Sequence, residues 1–256
     1  MGEPKEYFGR RAISGSMMIG GAQVVKVVVQ LVSVVVLARI LMPEDFGLIA
    51  AVSPLVVFLG LFQEFGLQQA VVQRKEISKA QLNQIFWLTS GIGAICVVIL
   101  FLISPLVAGF YDDPRILYIT MAVGGPLMIY SAACLPIGLL NRDMRFGVIA
   151  GMDVTAAIAG LVVAIWAALV GFAYWAIIIA LVVSAMVTLV WSWVASGWKP
   201  LAPAFRVERE IISFGANLTG FNFMNFFARN LDNVLIGRFI GVEALGFYDR
   251  AYKLML

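Results

Sequence analysis

Seven apolar runs, at residues 13–38, 46–66, 84–110, 116–140, 147–170, 173–197 and 210–237, follow one another with mostly short polar breaks between them. Each is long enough to cross a hydrocarbon core of about 30 Å, which takes about 20 residues at about 1.5 Å per residue. With no water available in lipid, a spanning segment must satisfy its own backbone polar groups, so helices are expected. An eighth run begins near Leu245, and the sequence stops inside it at Leu256. A signal peptide is a poor reading of the N-terminus. The run after Arg10 and Arg11 reaches Ala38 and carries Lys26 midway, whereas a signal h-region holds about 7–15 apolar residues. It reads as a retained first span.

Two of these runs carry the same polar pattern. Gln23, Lys26, Gln30 and Ser33 recur as Asn222, Asn225, Arg229 and Asp232 at a single offset of 199 residues. The spacing i, i+3, i+7, i+10 confines each set to one helix face. With the same offset and no gap, Ile13-Ser14 falls on Ile212-Ser213, and Arg39, Glu44 and Gly47 fall on Arg238, Glu243 and Gly246. An even number of spans separates the copies, so they run in the same direction through the membrane. Parallel repeats of this kind build transporters whose halves rock about a site at their interface. The expected fold is therefore an all-α integral membrane protein: a six-helix transmembrane lobe plus the first one to two helices of a second, parallel-repeat lobe. Residues 1–209 form the first lobe with its linker, and 210–256 open the second.

Charge distribution orients the chain. The tail and even-numbered loops carry eleven Lys or Arg, including Arg74, Lys75, Arg142, Arg145 and Lys199; the alternate side has Arg39, Arg115 and Arg238. The excess places the N-terminus in the cytoplasm. A net charge of +3 with no basic run gives nucleic acid nothing to bind. There is no histidine, which removes catalytic triads, His-metal sites and acyltransferases with a His-Asp base. No acid/base set converges, so the chain reads as a non-enzyme that needs no cofactor and no metal. Cys96 and Cys134 lie in apolar stretches and offer no disulfide framework.

Leu37-Ala38-Arg39-Ile40-Leu41-Met42-Pro43-Glu44-Asp45-Phe46-Gly47 resembles the loop after the first span of bacterial polysaccharide flippases. These are the O-antigen and colanic-acid type exporters of the multidrug/oligosaccharidyl-lipid/polysaccharide superfamily. Phe65-Gly66-Leu67-Gln68-Gln69-Ala70, Phe110-Tyr111-Asp112-Asp113-Pro114 and Ala244-Leu245-Gly246-Phe247-Tyr248-Asp249 look like the same family, in the same order. The resemblance implies twelve or more spans in two six-helix lobes around a central cavity, of which this sequence supplies one lobe and the opening of the next. It implies a lipid-linked oligosaccharide on a polyprenyl diphosphate as cargo, moved across the bacterial inner membrane for lipopolysaccharide, capsule or exopolysaccharide synthesis. A polysaccharide polymerase and a chain-length regulator are the implied partners, besides membrane lipids. A multidrug or cation antiporter of the same superfamily is the alternative.

The residues themselves suit an anionic headgroup. A charge at bilayer depth costs at least about 2.5–3.5 kcal/mol unless it faces protein or a wet cavity. Lys26 offers a point charge and Arg229 a planar fork, the two cation types that hold phosphate oxygens. Gln23, Gln30, Asn222 and Asn225 beside them suit sugar hydroxyls. An ion pair of Lys26 with Glu64 or Asp153 is the structural alternative, and Asp232 stands one turn from Arg229 to neutralise it. Glu64, Asp153 and Asp232 are the candidates for ion coupling. Asp112-Asp113 before Pro114 reads as a turn. Gly147-x-x-x-Gly151 and Gly237-x-x-x-Gly241 read as helix-packing sites. Gly124-Gly125-Pro126 and Pro54 are candidate hinges, and Trp191, Trp193 and Trp198 read as an interfacial belt. Asn217-Leu218-Thr219 is a glycosylation sequon without meaning inside a membrane.

Overall fold

In the computed structural model, residues 4–64, 71–72, 77–202 and 231–255 are described. They contain no strand and, besides a helical fragment at 71–72, form nine helices: α1 (Pro4–Ile40), α2 (Pro43–Glu64), α3 (Lys79–Tyr111), α4 (Arg115–Ala122), α5 (Gly124–Arg142), α6 (Phe146–Val170), α7 (Trp175–Ser196), α8 (231–239) and α9 (Val242–Met255). Six stretches among these residues are long and apolar enough to cross a membrane. The chain is a multi-pass membrane protein. The fourth expected span, 116–140, is divided at Val123 into α4 and α5, beside the Gly124-Gly125-Pro126 named as a candidate hinge. Pro126 follows Gly124-Gly125 and has no N–H to continue the helical ladder, which accounts for a joint at this place. The seventh expected span lies mostly outside the described residues.

Helix ends follow from local sequence. Ser78 opens α3 with a capping box, its hydroxyl accepting from the Gln81 amide at 3.2 Å while the Gln81 side chain accepts from the Ser78 amide at 3.0 Å. Asp112 ends α3 in the left-handed region. Asp113 accepts hydrogen bonds from the Arg115 amide and guanidinium, so Asp112-Asp113 is the expected turn. Gly171 (φ 92°) and Gly197 (φ 63°) terminate α6 and α7 in the same left-handed conformation.

The helices pack in the spatial order α1, α6, α7, α5, α3 and α4, with α2 beside α4 and α9 against α2. A core of Leu48, Val52, Leu100, Ile116, Ile119 and Leu245 holds α2, α3, α4 and α9 together. A second, built from Leu37, Leu41, Phe46, Ala164, Ala167 and Ala176, joins α1 to α6 and α7. Small residues allow close approach there. A Cβ at Gly160 would fall 2.2 Å from the Ser184 hydroxyl oxygen of α7, and that hydroxyl donates to the Ala156 carbonyl at 3.0 Å.

Of the expected packing glycines, an added Cβ would meet Met18 at Gly147, Trp191 at Gly151, and Tyr111 and Leu245 at Gly237, whereas Gly241 (φ 115°) has open space around it and serves the α8–α9 turn instead. Of the three tryptophans, Trp191 is exposed, while Trp193 and Trp198 are half-buried. They pack edge-on and tilted against the buried Phe86, with ring centroids 5.8 and 5.0 Å away. The Trp193 indole N–H donates to the Ala132 carbonyl at 3.1 Å. Buried Asn83 grips the following linker by donating to the Ala202 carbonyl at 2.8 Å and accepting from the Leu201 amide at 3.0 Å.

Candidate functional site

Lys26 projects from α1 toward α6, where its ammonium lies 3.7 Å from the Asp153 carboxylate. The two side chains retain 46% and 39% of their exposure, so neither is buried by the other. At 3.7 Å the pair exceeds hydrogen-bond range, and exposed pairs of this kind contribute only about 0.2–1 kcal/mol. Asp153 stands seven residues into α6, about 10 Å from the end on the N-terminal side. Lys26 is correspondingly about 21 Å from the α1–α2 turn.

Polarity continues along the same face. Lys26, Gln30 and Ser33 line a cavity of about 270 Å³ between α1, α6 and α7, closed on its far wall by Gly160, Ala164 and Ser184. Gln23 is exposed one turn below Lys26. Tyr130 of α5 and the buried Thr188 of α7 lie in the neighbourhood of Asp153. Neither Tyr130 nor Thr188 was apparent from the sequence. Their spacing is that of ordinary core positions, and only helix packing brings them to this acid.

The other candidates separate. Arg229, Asn222 and Asn225 lie outside the described residues, as does the side chain of Glu64. Asp232 is engaged locally: its carboxylate accepts from the Tyr248 hydroxyl at 2.5 Å and from the Asn233 amide at 2.9 Å.

A second polar cluster rims the opposite end. Arg115 forks onto Asp113, with its Nε 3.0 Å from Oδ1 and its terminal nitrogen 2.6 Å from Oδ2, and it also pairs with Glu44 at the start of α2. The guanidinium holds the Asp113 carboxyl below the usual carboxylate range. Arg238 of α8 reaches Asp112 at 2.7 Å. Arg250 of α9 donates to the Leu41 carbonyl at 3.2 Å and stacks 4.1 Å over the Phe46 ring. Cations from the second copy of the repeat thus tie onto the first.

Comparison with known proteins covers nearly the whole chain. A family model described as polysaccharide biosynthesis protein matches residues 36–256. The lipopolysaccharide biosynthesis protein WzxC of Escherichia coli K12 is 27% identical over 95% of this chain and 50% of its own length. The teichuronic acid biosynthesis protein TuaB of Bacillus subtilis 168 is 26% identical over 96% of this chain and 52% of its own. The succinoglycan biosynthesis transport protein ExoT of Rhizobium meliloti 1021 is 28% identical over 87% and 45%. The chain spans about half the length of these curated relatives. A solved inward-facing multidrug resistance transporter of the MATE family, in the MOP superfamily, shares the fold. Its TM-score is 0.57 at 13% identity, covering 90% of this chain and 57% of that one.

Proposed function

Because this chain belongs to the polysaccharide biosynthesis protein family, we propose that it forms the leading part, residues 1–209 and the opening 210–256, of a two-lobed flippase for lipid-linked oligosaccharide. The cargo is a glycan on a polyprenyl diphosphate, taken from the cytoplasmic leaflet of the bacterial inner membrane and delivered outward by alternating access. The chain acts as a transporter and not as an enzyme, with its N-terminus in the cytoplasm and with polymerase and chain-length machinery downstream.

One observation carries this reading: Lys26 is a half-exposed cation inside a membrane helix, 3.7 Å from Asp153, and with Gln30, Ser33 and Ser184 it gives a polar edge to an otherwise mostly apolar cavity. A diphosphate offers several anionic oxygens at hydrogen-bonding distance, where Asp153 offers a pair too long to be a hydrogen bond. The headgroup therefore displaces the carboxylate from Lys26 on entry, and Asp153 reclaims the ammonium on release. Gln23, Gln30 and Ser33 take sugar hydroxyls, with Asn222, Asn225 and Arg229 as the matching face of the second copy. Glu64 and Asp232 stay candidates for ion coupling. Voltage favours the direction. A dianion moving outward through about 100 mV, inside negative, gains about 4–5 kcal/mol if the cations remain behind.

Asp153 also supports a second reading, a cation antiporter of the same superfamily, since a half-exposed carboxylate in a helix face binds cations. The two divide on one pair of variants. Lys26→Ala in the protein carrying both lobes is expected to abolish surface polysaccharide at normal expression while Asp153→Asn keeps export. Export surviving Lys26→Ala but lost in Asp153→Asn selects the antiporter.

A further inference from the structure

The repeat read from the sequence has a physical consequence where its two copies touch. Gly47 lies in the first turns of α2, and Gly246 occupies the same place in α9. The two glycines face each other. A Cβ added at Gly47 would fall 1.6 Å from the Val242 carbonyl oxygen and 3.2 Å from the Gly246 nitrogen. A Cβ at Gly246 would fall 1.9 Å from the Pro43 carbonyl oxygen and 3.0 Å from the Gly47 nitrogen. Pro43 and Val242 are themselves related by the offset that relates Gly47 to Gly246. The interface is therefore self-complementary: each helix sets its glycine against the carbonyl one turn back on its repeat partner, as a two-fold axis between them requires.

We infer that this glycine pair is the shut position of a gate between the two halves, on the side of the membrane opposite the N-terminus. The inference rests on the two-lobe reading above. Backbones this close leave no room for water or cargo between α2 and α9. Weak C–H···O attraction between a glycine and the facing carbonyl favours closure without a long side chain. The surroundings suit a joint that opens and closes. Leu245, beside Gly246, is fully buried in the same core as Leu48 of α2. Around it the halves are latched by the Arg238–Asp112 ion pair and by the Arg250 hydrogen bond to the Leu41 carbonyl. The ion pair is exposed and breaks at low cost. Gly60, on the same helix as Gly47, has nothing within 4 Å of its Cβ position and stands outside the interface.

The test uses the protein carrying both lobes in membranes, with Cys96→Ala and Cys134→Ala, and a single thiol at Leu245→Cys. A membrane-impermeant maleimide should label this thiol slowly. Adding Gly47→Val or Gly246→Val should each raise the labelling rate by about tenfold, as over-packing shifts the population toward the parted state. Gly60→Val should leave it unchanged. If either valine variant fails to accumulate, Gly47→Ala and Gly246→Ala serve in its place. Labelling unchanged in either glycine variant, or raised equally by Gly60→Val, overturns the gate. The readout reports closure whatever the cargo, so its failure is separate from a failure of the flippase reading, which polysaccharide output decides.

Discussion

At the scale of single residues, the proposed function rests on Lys26 and Asp153. Neither is buried, and their separation of 3.7 Å leaves each available to another partner. Removing the acid should therefore strengthen anion binding. Asp153→Asn is expected to tighten binding of an isoprenyl diphosphate analogue about 3- to 10-fold, whereas Lys26→Ala weakens it by about tenfold or more. Titration of purified protein followed by intrinsic tryptophan fluorescence checks both directions. Gly160 makes a separate claim at the same scale. Its Cβ position is occupied by the Ser184 hydroxyl, so Gly160→Val should over-pack α6 against α7 and cost about 1–3 kcal/mol, read as a lowered Tm in detergent.

Elements show where local chemistry and packing part company. The capping box at Ser78, the left-handed glycines after α6 and α7 and the proline-bearing joint near Val123 all express short motifs. The segment after α7 does not. Three tryptophans near a membrane end suggest an interfacial belt, yet Trp193 and Trp198 turn inward onto Phe86 because Asn83 and Trp87 hold the linker backbone on α3. A buried asparagine that both donates and accepts leaves two backbone groups unsatisfied when removed. Asn83→Ala is expected to cost about 1–3 kcal/mol and to make the 197–202 linker a preferred site of limited proteolysis. The α3–α4 turn adds a pH signature. Asp113 has a depressed carboxyl through its Arg115 fork, so its stabilising contribution is present above about pH 4 and disappears as pH falls through the lower folded value. The Tm difference between the parent and Asp113→Asn should persist from neutral pH down to about pH 4 and shrink below it.

Across the whole molecule, the first and second copies of the repeat meet at one end through α2, α8 and α9. The Arg238–Asp112 pair crosses between them, so charge order there should be exchangeable. Arg238→Asp is expected to lower the mutual stability of the two copies by up to about 1 kcal/mol, and adding Asp112→Arg should restore most of it. Thermal unfolding of the single and double variants measures the coupling.

What the sequence determined by itself was whatever depends on one segment at a time: the apolar spans, the polar face of α1, the repeat and its offset. These follow from the length of a bilayer crossing and the period of a helix, neither of which needs a partner. Only the tertiary structure decided which residues share a site. It joined Lys26 to Asp153 and brought Tyr130 and Thr188 into the neighbourhood of the acid. It also turned Gly47 and Gly246 from two members of a pattern into one meeting point. Helix rotation and crossing are set by side-chain volumes summed over whole interfaces, and no single helix carries that sum in its own periodicity.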